Sequence, residues 1–175
     1  MTDVELRRLE LRDLNAIEEI ERSSYPTPWS RSMFASELAK PSSLCLGAFE
    51  AETGKLIGYL IISRYVDAWH VMNVAVTPDQ RRRGIASLLL NRLFELTAGR
   101  SRRGYTLEVR VSNAGAIKLY EEVGFRPRQR AVQPALPGLE RVWLVRSDET
   151  CACMRGGILG PIRPQRTLGP HDRLG

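Results

Sequence analysis

Residues 79–90 read DQRRRGIASLLL and lie where an apparent strand gives way to an amphipathic helix. The strand is the apolar run 71–76, VMNVAV, and Thr77-Pro78-Asp79 interrupts it. The segment after the arginines has the spacing of one helical face, with its members at Ile85, Leu88, Leu89, Arg92, Leu93 and Leu96. The segment therefore predicts a strand, a basic turn and a helix in succession.

The turn between these two elements has the composition of an anion site. Gly84 has no Cβ to keep a ligand away from the backbone, and the first N–H groups of a helix have no partner inside it. The positive end of the helix dipole and Arg81, Arg82 and Arg83 add favourable charge. A pyrophosphate would suit this turn, although a helix start with a solvated basic turn is the alternative. The spacing matches neither GxGxxG nor GxxxxGK[ST].

The bulk properties indicate one folded domain. The chain has 175 residues, of which 43% are hydrophobic and 26% charged, as is usual for a globular protein. We assign 1–146 to the domain and predict that 147–175, which is rich in Gly, Pro and Arg, is a disordered tail. Apolar runs are too short for a membrane span, and the acidic, Arg-rich start lacks the apolar centre of a signal peptide. We expect a cytoplasmic protein without a membrane partner.

Charge and candidate ligands exclude two further classes. The net charge is +6, but residues 1–125 hold 17 Lys and Arg against 16 Asp and Glu, whereas 126–175 hold 9 against 4. We therefore predict no dedicated nucleic-acid surface, although a basic tail could assist association with a ribosome or its RNA. Three cysteines make neither a disulfide framework nor a four-ligand zinc site, and both histidines stand alone, so we expect no metal.

The remaining pattern predicts an α+β fold with helices packed on a mixed sheet. Alternation and turn residues predict strands at 4–9, 44–49, 55–63, 68–76 and 105–111, the second and third forming a hairpin. Apolar spacing predicts four helices. The first is capped by Asp13, the second opens at Ser30 or Ser32, and the others cover 84–98 and 113–123. Residues 142–145, VWLV, are a candidate for one more strand.

A second informative block is 107–125, LEVRVSNAGAIKLYEEVGF, which joins a strand to a helix. Strand alternation places Glu108 opposite the apolar Leu107 and Val109, so Glu108 is either solvated or faces a cleft. Tyr120 falls on an apolar helical face and could be a core aromatic. Asn113 is well suited to cap the helix.

Two of these segments carry a family resemblance. The pattern R-x-x-G-x-A at Arg81, Gly84 and Ala86 resembles the acetyl-coenzyme A signature of the GCN5-related N-acetyltransferases (GNAT). LEVRVSN followed by AIKLYEEVGF resembles the RimI group of bacterial ribosomal-protein alanine N-acetyltransferases. With SSYPTPWS at 23–30 and VMNVAV, the resemblance covers roughly 4–125. It implies an α/β/α sandwich and the transfer of an acetyl group from acetyl-CoA to the N-terminal alanine of a small-subunit ribosomal protein.

The resemblance also implies roles for individual residues. Glu108 matches the proton acceptor of the RimI group and Tyr120 its proton donor. If the strand at 68–76 diverges from its neighbour, its backbone would serve the oxyanion and the pantetheine arm. The predicted coenzyme-binding residues are Val74, Ala75, Val76, Arg82, Arg83, Gly84, Ile85, Ala86, Ser87 and Asn113. The loop 25–29 would line the acceptor side.

The chain departs from the RimI pattern after Phe125. The segment 126–146, RPRQRAVQPALPGLERVWLVR, lacks the paired tyrosines that help to form the peptide-side wall in the family. Its composition is that of GC-rich DNA read out of frame, a hypothesis that a comparison of the three coding frames would decide. Two alternatives to the alanine acetyltransferase follow. One is a broader N-acetyltransferase of peptides or small amines, and the other is a coenzyme-binding module that lost its acceptor site.

Overall fold

The computed structural model describes residues 3–100, 103–131 and 141–147. Within these ranges the chain forms one mixed sheet with four α-helices. The strands are β1 Val4–Arg8, β2 Ser43–Glu50, β3 Leu56–Tyr65, β4 Ala68–Val76, β5 Tyr105–Arg110, β6 Arg126–Ala131 and β7 Arg141–Arg146. The helices are α1 Leu14–Ser24, α2 Arg31–Ala39, α3 Ile85–Thr97 and α4 Ala114–Glu122. The first five strands and all four helices lie where the sequence predicted them.

The strand order across the sheet is β1-β2-β3-β4-β5-β7-β6. β2 and β3 form the predicted antiparallel hairpin, whereas β4 and β5 run parallel because α3 crosses between them. The mixed character of the sheet is thereby confirmed.

Alternate strand residues supply two separate cores, one on each face of the sheet. On one face, α3 and α4 pack through Leu89 and Tyr120 against the strands. On the other, α1 and α2 pack through Ile17 and Phe34, which are both 0% exposed. Helices therefore cover both faces, and the α/β/α sandwich that the resemblance implied is confirmed.

Two details of the helices differ from the prediction. Asp13 precedes α1, but its carboxylate accepts hydrogen bonds from the Arg7 guanidinium and from the Glu10 N–H, at 2.8–2.9 Å, rather than from the helix. The bond from Arg7 is the main cause of the lowered pKa of Asp13. In α3, Leu88 is 41% exposed and Leu90 is buried in its place.

The atypical segment contributes two strands to the described structure. β7 lies between β5 and β6 and is antiparallel to both, so the candidate strand at 142–145 is confirmed. β6 was not predicted, because RPRQRA has neither apolar alternation nor a β-branched residue. Apart from Ser147, the tail for which we predicted disorder lies outside the described residues, and the division at residue 146 stays a prediction.

The fork between β4 and β5 is the feature that positions the candidate site. Their parallel ladder runs only from Trp69–Tyr105 to Val71–Leu107. On the opposite edge of β4, Ile62 pairs with Val71 and Ile61 with Asn73, so Met72 is the extra residue of a β-bulge. The bulge bends β4 where its pairing with β5 ends. The divergence on which the predicted role of the β4 backbone depended is therefore present.

Candidate active site

The turn before α3 presents unpaired backbone donors. Gly84 precedes the helix with a left-handed φ of 79°, and no side chain caps the helix there. The Leu88 N–H donates to the Gly84 carbonyl at 2.9 Å, which makes this the first helical hydrogen bond. The N–H groups of Ile85, Ala86 and Ser87 thus have no carbonyl partner within the helix, and they can receive an anion.

The three arginines of the turn have different surroundings. Arg81 is exposed, but its guanidinium is held by the chain, donating from Nε to the Val76 carbonyl at 3.0 Å and from Nη2 to Ser24 Oγ at 3.1 Å. It fastens the turn to the end of β4. Arg82, in left-handed backbone with a φ of 63°, is exposed, and Arg83 is exposed with one bond to Gln80. Arg82 and Arg83 are therefore the cations best placed to meet a ligand.

The backbone of β4 after the bulge faces the fork at alternate residues. The Val74 carbonyl accepts a hydrogen bond from the Tyr25 hydroxyl, and the Val76 carbonyl accepts one from Arg81. Since the N–H and C=O of one strand residue point to the same side, the Val74 and Val76 N–H groups face the opening toward β5. The backbone of Ala75 faces β3. This geometry favours Val74 and Val76 over Ala75 as hydrogen-bond donors to a ligand.

Glu108 lies on β5 immediately beyond the last residue that pairs with β4. Its side chain is 30% exposed and accepts a hydrogen bond from Arg141 of β7 at 3.3 Å. Among the described residues, no other side chain or N–H donates to this carboxylate. The predicted alternation is confirmed, because Leu107 and Val109 are buried while Glu108 is exposed. The side chain thus reaches solvent at the fork and keeps acceptor capacity for a further proton or N–H.

Tyr120 is only 6% exposed and packs edge-on against Phe125 at 5.8 Å between ring centroids. Burial raises its pKa, and the nearby Tyr25 raises it further. Its hydroxyl makes no hydrogen bond within the described ranges. Trp69 Nε1 is the one fully enclosed side-chain polar atom there without a partner, so the Tyr120 hydroxyl keeps contact with solvent. The packing interpretation holds for the ring, and the hydroxyl is free to meet a ligand.

Asn113 is confirmed as the cap of α4, because its side chain accepts a hydrogen bond from the Ala116 N–H at 3.1 Å. The residue is exposed at the end of β5, on the side of the fork. Its predicted contact with the coenzyme stays a prediction.

The sequence interpretation missed a buried polar cluster beneath the loop 25–29. Glu21 of α1 is 1% exposed and accepts hydrogen bonds from Tyr59, Asn73 and the Trp29 N–H. A signal was available, because Glu21 follows Ile17 by four residues and Leu14 by seven, which places an acid on the buried stripe of α1. Such a residue needs partners in the core.

Two further observations concern ligands and membranes. In the part of the chain that the structure describes, no three His, Cys, Asp or Glu side chains come together as a metal site. No helix of that part combines the length and the apolar character that crossing a membrane requires.

Sequence comparisons relate this geometry to known proteins. Residues 14–125 match the model of the acetyltransferase (GNAT) family. The ribosomal protein bS18-alanine N-acetyltransferase of Escherichia coli (strain K12) is 35% identical over 134 residues, which are 75% of this chain and 88% of that protein.

Solved structures show the same likeness. The crystal structure of the ribosomal-protein-S18-alanine N-acetyltransferase from Escherichia coli superposes with a TM-score of 0.72 at 32% identity, covering 82% of this chain and 93% of that one. Arabidopsis thaliana NAA60 in complex with acetyl-CoA has the same fold, with a TM-score of 0.72 at 22% identity over 82% of this chain and 97% of that one.

Proposed function

The chain belongs to the acetyltransferase (GNAT) family and is an acetyl-CoA-dependent N-acetyltransferase, and from this premise we propose that its acceptor is the N-terminal alanine of a small-subunit ribosomal protein. The likeness to the bS18-alanine enzyme supports this acceptor class. The observation that carries the chemistry is the fork between β4 and β5. It has a turn suited to an anion on one side, the Glu108 carboxylate reaches solvent beside it, and the Tyr120 hydroxyl has no hydrogen-bond partner among the described residues.

The coenzyme would lie across the open edge of β4. The free N–H groups at the start of α3 and the exposed Arg82 and Arg83 suit its pyrophosphate. The Val74 and Val76 N–H groups suit the pantetheine amides and the acetyl oxygen, on which negative charge develops during transfer. Asn113 stands at the edge of this surface.

The acceptor amine would enter beside Glu108. An α-amino group has a pKa of roughly 7.7–8.0 and is largely protonated at neutral pH, so it must lose a proton before it attacks. Glu108 accepts that proton, because its carboxylate reaches solvent and is only partly occupied by Arg141. Tyr120 then supplies a proton to the departing thiolate.

The acceptor is tested by offering three substrates with acetyl-CoA. These are a peptide with the free N-terminal Ala of a small-subunit ribosomal protein, the same peptide with a blocked N-terminus and one Lys, and spermidine. We expect mass spectrometry to find one acetyl group on the first peptide only. Acetylation of Lys or of spermidine would favour the broader enzyme. Binding of acetyl-CoA without transfer to any amine would favour the coenzyme-binding module.

Gly84→Ala is expected to weaken acetyl-CoA binding about tenfold or more, because the new methyl group lies where phosphate must approach the backbone. No described protein atom lies within 4 Å of that Cβ position, so the space is open. Isothermal titration calorimetry with acetyl-CoA measures the change in Kd.

Gly54→Ala is the matched control. Gly54 has a φ of 67° and equally open surroundings, but it lies in the turn between β2 and β3. Both variants carry a left-handed alanine, which costs about 1–2 kcal/mol of folding stability. Only Gly84→Ala should also lose coenzyme affinity, and an equal Kd in both variants would remove the turn from the coenzyme site.

A further inference from the structure

Glu21 is a buried carboxylate whose acceptor sites are filled by neutral groups. It receives the Trp29 N–H at 2.8 Å, the Tyr59 hydroxyl, and the Asn73 amide at 3.2 and 3.3 Å. A carboxylate has about four lone-pair positions, so little capacity remains for a proton from substrate. Its 1% exposure also keeps it from touching an acceptor. Glu21 is therefore unsuited to be the base, unlike Glu108.

The partners of Glu21 belong to three parts of the site. Tyr59 lies on β3, and Asn73 follows the bulged Met72 on β4. Trp29 ends the loop 25–29 between α1 and α2. One side chain thus ties the loop to the strand segment from which the β4 backbone turns toward the fork.

The same loop has a second attachment to β4. The Tyr25 hydroxyl donates to the Val74 carbonyl, one residue beyond Asn73. Burial, followed by the charge of Glu21, raises the pKa of Tyr25 to about 12, which keeps this hydroxyl protonated and able to donate. Tyr25 also lies close enough to Tyr120 to raise its pKa. The loop is therefore fixed at both ends, through Tyr25 and Trp29.

The Glu21 cluster provides a fixed geometry and specificity of contact between the three segments. Burying a charge that is held only by neutral donors costs desolvation free energy. A well-packed apolar cluster often joins three segments with equal or greater stability. Hydrogen bonds fix direction, which apolar contacts do not. An acceptor amine needs that direction, because productive attack tolerates little displacement of the bound substrate.

We propose that Glu21 is a positioning residue of the acceptor site, which acts through the Trp29 N–H and Asn73 to hold the loop 25–29 against the bulged segment of β4. This inference rests on the proposed function, in that an amine acceptor must bind beside this loop. Within the described residues, the turn before α3, which would hold the pyrophosphate of the coenzyme, makes no hydrogen bond with Glu21.

Glu21→Gln tests the proposal. The amide keeps the size of the side chain but directs an NH2 group at donors, so at least one hydrogen bond must break. We expect kcat/KM for the Ala peptide to fall about tenfold to 100-fold, mainly through the KM for the peptide, with a smaller change in the Kd for acetyl-CoA. Tyr59→Phe removes one donor, keeps the charge, and should shift KM in the same direction by less.

Asp13→Asn is the matched control. Asp13 is also a buried carboxylate that accepts protein hydrogen bonds, but its partners are Arg7 and the Glu10 N–H, at β1. Asp13→Asn should lower the Tm without raising KM for the peptide. If Glu21→Gln lowers the Tm and leaves KM as Asp13→Asn does, Glu21 is merely structural and the proposal is wrong.

A second readout needs no acceptor, so it separates this proposal from the proposed function. Amide hydrogen exchange measured by NMR should show faster exchange of the Trp29 N–H in Glu21→Gln, with the N–H groups of α3 as slow as in the wild type. If the wild type acetylates no amine, faster exchange at Trp29 still supports the part of the proposal in which Glu21 holds the loop 25–29, and the failure is then that of the proposed function. Unchanged exchange at Trp29 would overturn it whether or not the wild type is active.

Discussion

Tyr120→Phe should lower turnover by about 100-fold or more, the range for positioned acid catalysis, with little loss of folding stability. The ring packs on Phe125 and stays in place, whereas the hydroxyl forms no hydrogen bond within the described ranges. Its removal therefore leaves no described partner unsatisfied. Steady-state kinetics with the Ala peptide measures turnover, and thermal denaturation measures stability.

Tyr105→Phe supplies the contrast. Tyr105 is 1% exposed in the same core, and its hydroxyl shares a hydrogen bond with Thr97 Oγ1 at 2.7 Å. Its loss should cost about 1 kcal/mol of folding stability without changing turnover. The two variants remove the same atom from buried tyrosines, so the opposite pattern of effects identifies the hydroxyl that acts in the reaction.

The identity of the leaving group gives a sharper test of the role of Tyr120. Burial raises the pKa of Tyr120, which keeps its hydroxyl protonated and able to donate, and a thiolate in the same environment would gain from receiving that proton. An activated aryl thioester that binds has a leaving thiol of low pKa and needs no such proton. With the aryl thioester, Tyr120→Phe should therefore recover much of the turnover that it loses with acetyl-CoA. Equal deficits with both donors would mean that Tyr120 positions the substrate instead.

Local sequence signals were sufficient for most of the fold. Gly84 adopts the left-handed φ of 79° that glycine tolerates best, and Asn113 is a residue type that often caps helices. These two residues mark the starts of α3 and α4 in the sequence. Asp13 shows the limit of this reasoning. An acid before a helix suggests a cap. Arg7 comes close to Asp13 only once β1 has formed, and the Asp13 carboxylate then pairs with Arg7 instead of capping the helix.

The parts of the site that escaped prediction depend on contacts between distant segments. The bulge at Met72 is a mismatch between β3 and β4, so no pattern within β4 reveals it. Glu21 meets Asn73 across 52 positions of the chain. β6 has no apolar alternation of its own and is held by its pairing with β7. Glu108 and Tyr120 could be named as candidates because the motifs that carry the family resemblance are local, and their catalytic roles stay predictions.

The Glu108 prediction depends on pH. Glu108→Gln removes the proton acceptor and keeps the size of the side chain, so we expect turnover to fall about 100-fold or more near neutral pH with acetyl-CoA affinity unchanged. The deficit should be largest at low pH. Wild type can use the protonated amine because Glu108 takes its proton at the site, whereas the variant must wait for the neutral amine.

The profile of kcat/KM from pH 6 to 9.5 tests this expectation. In the variant the rate should rise steeply until pH passes the amine pKa of roughly 7.7–8.0, and the gap to wild type should narrow above it. Glu95→Gln is the control, since Glu95 also pairs with an arginine, Arg92 at 2.9 Å, but on the exposed surface of α3. That variant should match wild type at every pH. A Glu108→Gln deficit that stays constant with pH would mean that the carboxylate orients the peptide, with Arg141, and that water accepts the proton.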